Sequence, residues 1–421
     1  MKTRILLAMT FIMVTADALF AQNTEVFPTL TVKDIPYRIP ALGVASNGDL
    51  VAVADYRYSR EDIGSGRIDL HLRRSLDNGL TWLDIERNEV MRGDGVMVPG
   101  NQKAGYGDPS IVGDRNSPRM MIISCSGMPQ SQDGTREQHQ GTARWYSDDY
   151  GRTWSEPSYI GDAIYEQLDK SPYGPITSMF VASGKILQSR KVHKGKNYRL
   201  YCAILTFGPK GMNNFVLFSD DFGEKWQFLG GVNQCPINDR ADEAKVVELP
   251  NGNILISSRC WGGRNFNIFT FSDIKKGEGR WATQARSTEV NQGVASNGND
   301  CNGEILLVPV VRKNDNKKTF ILLQSVPFGP GRSHVGIYYK ELESEANYAT
   351  PRAIVFGWDV GVEATQLGSA YSTMIMQKNN TVGFLFEEET HCGTQGGGYT
   401  IIYQNYTIEQ LTHGQYSLRK W

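Results

Sequence analysis

Short apolar or alternating runs dominate the chain. Leu50–Tyr56, Met120–Ser124, Leu200–Thr206, Phe215–Ser219, Ile305–Val311, Phe320–Ser325 and Val335–Tyr339 each have the length and content of a strand, and most are bounded by Gly, Asn, Asp or Pro. Two hairpins are explicit. Lys245–Leu249 turns through Pro250-Asn-Gly-Asn253 into Ile254–Ser258, and Ser372–Met376 turns through Asn379-Asn380 into Val382–Phe386. Helical periodicity is nearly absent; Ala163–Leu168 predicts one or two turns at most. The pattern predicts an all-β fold.

One pattern recurs. Ser75-Leu-Asp77-Asn-Gly79-Leu-Thr81-Trp82, Ser147-Asp-Asp149-Tyr-Gly151-Arg-Thr153-Trp154 and Ser219-Asp-Asp221-Phe-Gly223-Glu-Lys225-Trp226 stand 72 residues apart. Each reads as a hairpin turn: Asp bonds the backbone just beyond itself, Gly supplies a positive φ, and Trp anchors the returning strand. A degenerate fourth copy surrounds Ser272, Asp273 and Trp281. A sandwich, a barrel and a propeller all fit many short strands. A repeat of about 65–70 residues is too long for one hairpin and suits a four-stranded blade with its loops. Six such blades would consume the chain, so the expectation is a six-bladed β-propeller forming one domain, residues 25–421.

Composition narrows the setting. Lys2 and Arg4 precede the apolar run Ile5–Val14 and small residues at Ala16, Ala18 and Ala21. This is the layout of a signal peptide, residues 1–18, and the run is too short to span a bilayer as a helix. Cleavage after Ala18 fits the small-x-small rule, whereas cleavage after Ala21 would put Leu19 at the −3 position. The mature chain is therefore expected to be exported, secreted or periplasmic, with no membrane insertion. A net charge of −1 with both signs mixed gives no support for a nucleic-acid or anionic-membrane surface. The six cysteines form no CxxC and the six histidines no HExxH, so neither a metal nor a cofactor is expected. Export permits disulfides, Cys235 with Cys301 among the pairings. Asn379 and Asn405 each open a glycosylation pattern.

Tyr37-Arg38-Ile39-Pro40 stands just ahead of the first strong strand. That motif, followed by several Ser-x-Asp-x-Gly-x-Thr-Trp boxes (Asp boxes), resembles the exo-sialidases, or neuraminidases, of bacterial type over essentially the whole mature chain. The resemblance implies a propeller whose central pocket takes a terminal sialic acid, with the boxes on the opposite face. It implies three arginines for the substrate carboxylate, Arg38, Arg259 and Arg332, and guanidinium forks suit a fixed anion. It implies Tyr371 as nucleophile, since a phenol avoids the repulsion that a carboxylate would meet beside the substrate's own carboxylate. A tyrosine needs a base, because its ordinary pKa is about 10. Glu243 fills that role, with Asp242 as a rival whose side chain would point to the other face of an extended segment.

Asp62 is the matching general acid/base, with Glu61 and Asp69 as rivals, because protonating a leaving oxygen needs a carboxylic acid. Arg57 and Asp108 would contact the far side of the sugar, and Glu387, with Glu388 as neighbour, would hold Arg38. Tyr106, Met128 and Trp145 are candidates for the N-acetyl pocket. The implied function is retaining hydrolysis of terminal sialic acid from sialylated glycans, glycoproteins or glycolipids. Trans-sialidase or intramolecular trans-sialidase action uses the same residues with another acceptor. A non-catalytic sialic-acid-binding propeller would need the arginines but not Tyr371, Glu243 and Asp62.

Overall fold

The computed structural model describes residues 22–30, 34–60, 62–64, 66–93, 105–127, 133–390 and 398–420. Their strands gather in six sheets of four or five strands that follow one another along the chain as the blades of a β-propeller. The first blade is typical: Tyr37–Val44, Leu50–Arg57, Ile68–Ser75 and Glu86–Arg87 pair in chain order, antiparallel, from the axis outward. The other innermost strands include Tyr106–Gly113, Ala244–Glu248, Ile305–Arg312 and Ser369–Met376. In the third blade the inner edge is shared by Ser178–Val181 and Leu187–Lys194. Thr24–Phe27 pairs antiparallel with Thr400–Tyr406 and becomes the outer strand of the sixth blade, so an early strand closes the ring onto a late one, while Tyr416–Leu418 pairs with Ile305–Arg312 of the fifth blade.

Each blade buries apolar residues against the next. The expected strands are present and run longer: Leu200–Thr206 becomes Asn197–Gly208, because its pairing with Gly211–Ser219 continues to the turn at Gly208 and Gly211. The expected short helix is Gly161–Asp169.

The three repeats occupy the turn between the third and fourth strands of blades one, two and three. In the first, Ser75 Oγ donates to Asp77 (2.8 Å) and accepts from the Gly79 N–H (2.8 Å), while Asp77 accepts from the Thr81 N–H (2.9 Å). The network recurs around Asp149 and Asp221, where Lys225 keeps the backbone bond in place of Thr. The glycines are also docking points. A Cβ on Gly79 would lie 2.2 Å from the Tyr403 ring, and one on Gly223 would lie 2.3 Å from Met121 Sδ, both in the preceding blade. Trp154 and Trp226 are buried, and Trp82 is half-buried. The degenerate copy sits at the equivalent turn of blade four, where Asp273 accepts from the Lys275 and Lys276 N–H groups.

The cysteine expectation is corrected. Cys125, Cys202, Cys235, Cys260 and Cys301 are all free thiols. Cys235 bonds the backbone of Asn214 and Ile237, whereas Cys301 is packed with Ala370, Tyr371 and Tyr399, so the two do not pair. The signal peptide, Glu61, Met128 and Cys392 lie outside the described residues.

Candidate active site

The antiparallel register brings the candidate residues to one face. Inner strands start there with Arg38 and Asp108, and second strands end there with Arg57 and Arg259. Ser75 lies at the other end of the ladder, opposite Leu50, which pairs with Val44. Three inner strands carry an irregularity in register near the face: between Arg38 and Ala41, between Gly107 and Ser110, and between Ser369 and Ser372. Such bulges re-aim a side chain, here Arg38, Asp108 and Tyr371. In the first two the cause is legible. Pro40 and Pro109 have no N–H for the ladder, and the residues before them, Ile39 and Asp108, take positive φ.

A cavity of 280 Å³ opens at this face. Arg38, Arg57, Asp62, Asp108, Glu243, Arg259, Arg332 and Tyr371 all line it. Glu387 lies behind the lining, fully buried, with four short contacts. It accepts from Arg38 Nε (2.7 Å) and Nη2 (3.4 Å), from the Ile39 N–H (2.7 Å) and from the Tyr371 N–H (3.0 Å). One carboxylate therefore sets both the Arg38 guanidinium and the Tyr371 backbone. Glu388 is also buried but does not reach Arg38, and burial raises its carboxyl.

Tyr371 OH is 3.0 Å from Glu243 Oε1 and 3.2 Å from Arg259 Nη1. Arg259 Nη1 also meets Glu243 Oε2 at 2.8 Å, and the Arg259 N–H donates to the Glu243 carbonyl at 2.8 Å, which ties the segment ahead of Ala244 to the strand Ile254–Cys260. Burial and the neighbouring Glu243 push the Tyr371 hydroxyl well above its ordinary value, against the pull of Arg259. The phenol is neutral at any physiological pH. It can lose its proton only to a base already in contact, and Glu243 is in contact.

Asp242 is not turned away. The segment ahead of Ala244 is not a strand, so alternation does not apply, and Asp242 Oδ2 lies 3.2 Å from Arg259 Nε. Asp300 approaches Arg259 Nη2 at 3.3 Å. Arg259 is thus surrounded by acids, and Arg38 is neutralised by Glu387. Arg332 differs: among the described residues no carboxylate is within ion-pair distance of it, and its guanidinium stands 5.9 Å from the Tyr371 ring. Among the described residues, Arg332 is the cation of the cavity that no carboxylate compensates.

On the other wall Arg57 is buried and holds Asp55 (2.9 Å), Asp62 (2.8 Å) and, at 3.7 Å, Asp108. Burial and mutual repulsion raise the Asp55 and Asp108 carboxyls, even beside Arg57. Asp62 goes the other way. Burial would raise it, but Arg57, the Ile63 N–H and Arg38 hold its carboxyl below the ordinary value. Its side chain is 57 % exposed, at the mouth of the cavity. Its rival Asp69 is buried elsewhere, held by Arg67, Tyr58 and the Gly93 N–H in a separate cavity.

The apolar candidates are corrected. Tyr106 and Trp145 do not line the cavity; their rings meet at 4.7 Å, edge to face, in the core between blades. The apolar wall comes instead from Phe180, Leu205, Phe207 and Met212 of the third blade, with Ile63. Sequence reasoning missed these and Asp55. Asp55 had a signal, since it stands two residues before Arg57 and shares its face.

No family profile matches the chain. It is 30 % identical over 236 residues to the sialidase of Micromonospora viridifaciens, covering 53 % of this chain and 32 % of that protein. It is 27 % identical over 250 residues to the sialidase of Bacteroides fragilis (strain YCH46), covering 57 % and 42 %. The chain thus spans less than half the length of these two curated relatives. Among solved structures, the intramolecular trans-sialidase from Ruminococcus gnavus, in complex with oseltamivir carboxylate, superposes with a TM-score of 0.67 at 17 % identity, covering 92 % of this chain and 98 % of that one. At that identity the likeness speaks to the fold.

Proposed function

We propose that the protein is a retaining exo-α-sialidase, releasing terminal sialic acid from sialylated glycans, glycoproteins or glycolipids through a covalent intermediate on Tyr371. The observation that carries this reading is the Tyr371 hydroxyl, 3.0 Å from Glu243 and 3.2 Å from Arg259, in a cavity that also holds Arg38 and Arg332. The similarity to sialidases, the Tyr37-Arg38-Ile39-Pro40 motif and the three Asp boxes support it.

In this reading Arg38, Arg259 and Arg332 clamp the substrate carboxylate, and Arg332 supplies the charge that no carboxylate among the described residues cancels. Tyr371 oxygen attacks the anomeric carbon as Glu243 takes the phenolic proton. Arg259 faces the charge that develops on the phenolic oxygen. The glycosidic bond breaks, and Asp62 gives its proton to the leaving oxygen. Asp62 is ionised beside Arg57 in the free protein, so it must take up that proton before or as the substrate displaces this contact. In the second step Asp62 removes a proton from water, water oxygen bonds the anomeric carbon, and Tyr371 leaves with the proton returned by Glu243. Two displacements retain configuration. Asp108 and Arg57 would hold the far side of the ring, and the Phe180, Leu205, Phe207 and Met212 wall would receive its apolar substituents. No cofactor or metal enters these steps. Residues 1–18, read as a signal peptide, support export of the protein, secreted or periplasmic.

The test is release of the aryl group from an aryl α-sialoside by purified protein, followed by NMR of the sugar. Free sialic acid appearing first as the α anomer is expected. An anhydro sugar or a transferred sialoside would identify intramolecular or intermolecular transfer instead, and no release with intact sialic-acid binding would leave a non-catalytic propeller.

A further inference from the structure

A second cavity of 300 Å³ lies at the opposite end of the inner strands. Val44, Gly113, Glu248 and Met376 line it, and the strands that end in them begin within two residues of Arg38, Asp108, Glu243 and Tyr371. Five or six extended residues separate the two ends, roughly 17–20 Å, so both cavities could be filled at once. Its volume is at the lower end of the range for small-molecule sites.

The chemistry of the two ends differs. The walls of this cavity are aliphatic, with Ile111, Ile186, Val247, Leu307 and Ile375 among them. Its rim is basic: Arg115 and Lys191 have no carboxylate within ion-pair distance among the described residues, and Arg190 stands beside them. Among the described residues the Arg115 guanidinium meets the Ser189 carbonyl and the face of Tyr198, 4.7 Å away. The rim acid, Glu248, has one oxygen on Ser189 Oγ and the other on the Arg190 N–H. Apolar walls favour a hydrocarbon chain, and a guanidinium and an ammonium on the same rim favour a carboxylate head.

We propose that this back mouth of the propeller is a binding site for a single-chain amphipathic anion, a free long-chain carboxylate, with its tail in the aliphatic cavity and its head at Arg115 and Lys191. The site is independent of the front cavity and of the reaction proposed for it.

Titration calorimetry of the full protein with sodium decanoate, below its micelle concentration, tests this. Saturable one-to-one binding is expected. Decyltrimethylammonium, with the same tail and the opposite charge, and acetate, with the head and no tail, should each bind at least tenfold more weakly. The double variant Arg115→Gln, Lys191→Gln should weaken decanoate at least tenfold while aryl sialoside turnover and melting temperature stay as in the parent. A 2,3-didehydro sialic acid analogue filling the front cavity should leave decanoate affinity unchanged. Equal affinity for the cationic surfactant would overturn the proposal, as would absence of saturable binding. Competition between decanoate and the sialic acid analogue would also overturn it, placing the carboxylate on the front arginines. Should the double variant fail to fold, the anion-to-cation comparison on the parent protein decides alone.

Discussion

Arg332 and Arg38 are assigned the same task, yet their surroundings predict opposite effects on the fold. Arg38→Gln removes the partner of the fully buried Glu387, leaving a carboxylate with only the Ile39 and Tyr371 N–H groups. Breaking a buried ion pair from one side costs about 3–5 kcal/mol. Arg332→Gln orphans no acid: Cys301 and Tyr371, which would favour the cation if ionised, are held neutral by burial, whereas Arg259 and Arg38 repel it. Its melting temperature should equal or slightly exceed the parent's. For binding the two converge. A hydrogen bond to a charged group contributes about 1.5–3 kcal/mol, so each variant should lose about 10- to 150-fold in kcat/KM per bond to the substrate carboxylate. Urea unfolding and aryl sialoside kinetics on the same preparations separate the two quantities. An Arg332→Gln variant with the parent's kcat/KM would show that the uncompensated cation does not meet the substrate. Equal destabilisation by both variants would show that the charge accounting of the cavity is wrong.

Other outcomes follow from the same geometry. Trp154→Ala should cost about 3–5 kcal/mol by cavity formation, and Gly223→Ala about 1–3 kcal/mol from backbone strain at φ +87°, beyond its clash with Met121. Urea midpoints should fall in both while kcat of the folded fraction is kept, because these turns lie on the far face. Asp62→Asn should slow a sialoside with an alkyl leaving group about 10²–10⁴-fold and a nitrophenyl sialoside far less, since nitrophenolate leaves without a proton. Because Arg57 holds the Asp62 carboxyl below its ordinary value, kcat/KM for the alkyl substrate should fall as pH rises out of the acid range, with a weaker dependence for the nitrophenyl substrate. The same depressed carboxyl adds stability above its unfolded pKa and loses it as pH falls through its folded one.

What was readable in the chain was what local chemistry decides. The Ser-x-Asp-x-Gly turns are self-contained hydrogen-bond networks, so their spacing exposed the blades before any long-range contact was known. Pro40 disrupts its own ladder and so aims Arg38 from within its own motif, while Glu243 and Arg259 face each other across one hairpin. Asp62 reaches Arg57 within a single loop. Choices that depend on what another blade presents were not readable. Alternation along Asn197–Gly208 puts Leu205 and Phe207 on one face but cannot say that this face borders the cavity. Tyr106 and Trp145 looked like sugar-facing aromatics, yet they pack on each other between blades. Asp242 was assigned by strand alternation in a segment that is not a strand, and the pairing of Cys235 with Cys301 required a proximity that the blades do not provide.

The proposed reaction turns on one covalent bond, from Tyr371 oxygen to the anomeric carbon. A sialosyl fluoride carrying a second fluorine beside the anomeric carbon should slow breakdown of the intermediate, and peptide mapping should then find the added mass on the peptide containing Tyr371. Tyr371→Phe should lose the label and keep affinity for sialic acid, because Arg38, Arg259 and Arg332 are untouched. Label on Asp62, on Glu243 or on another tyrosine would show that Tyr371 is not the nucleophile.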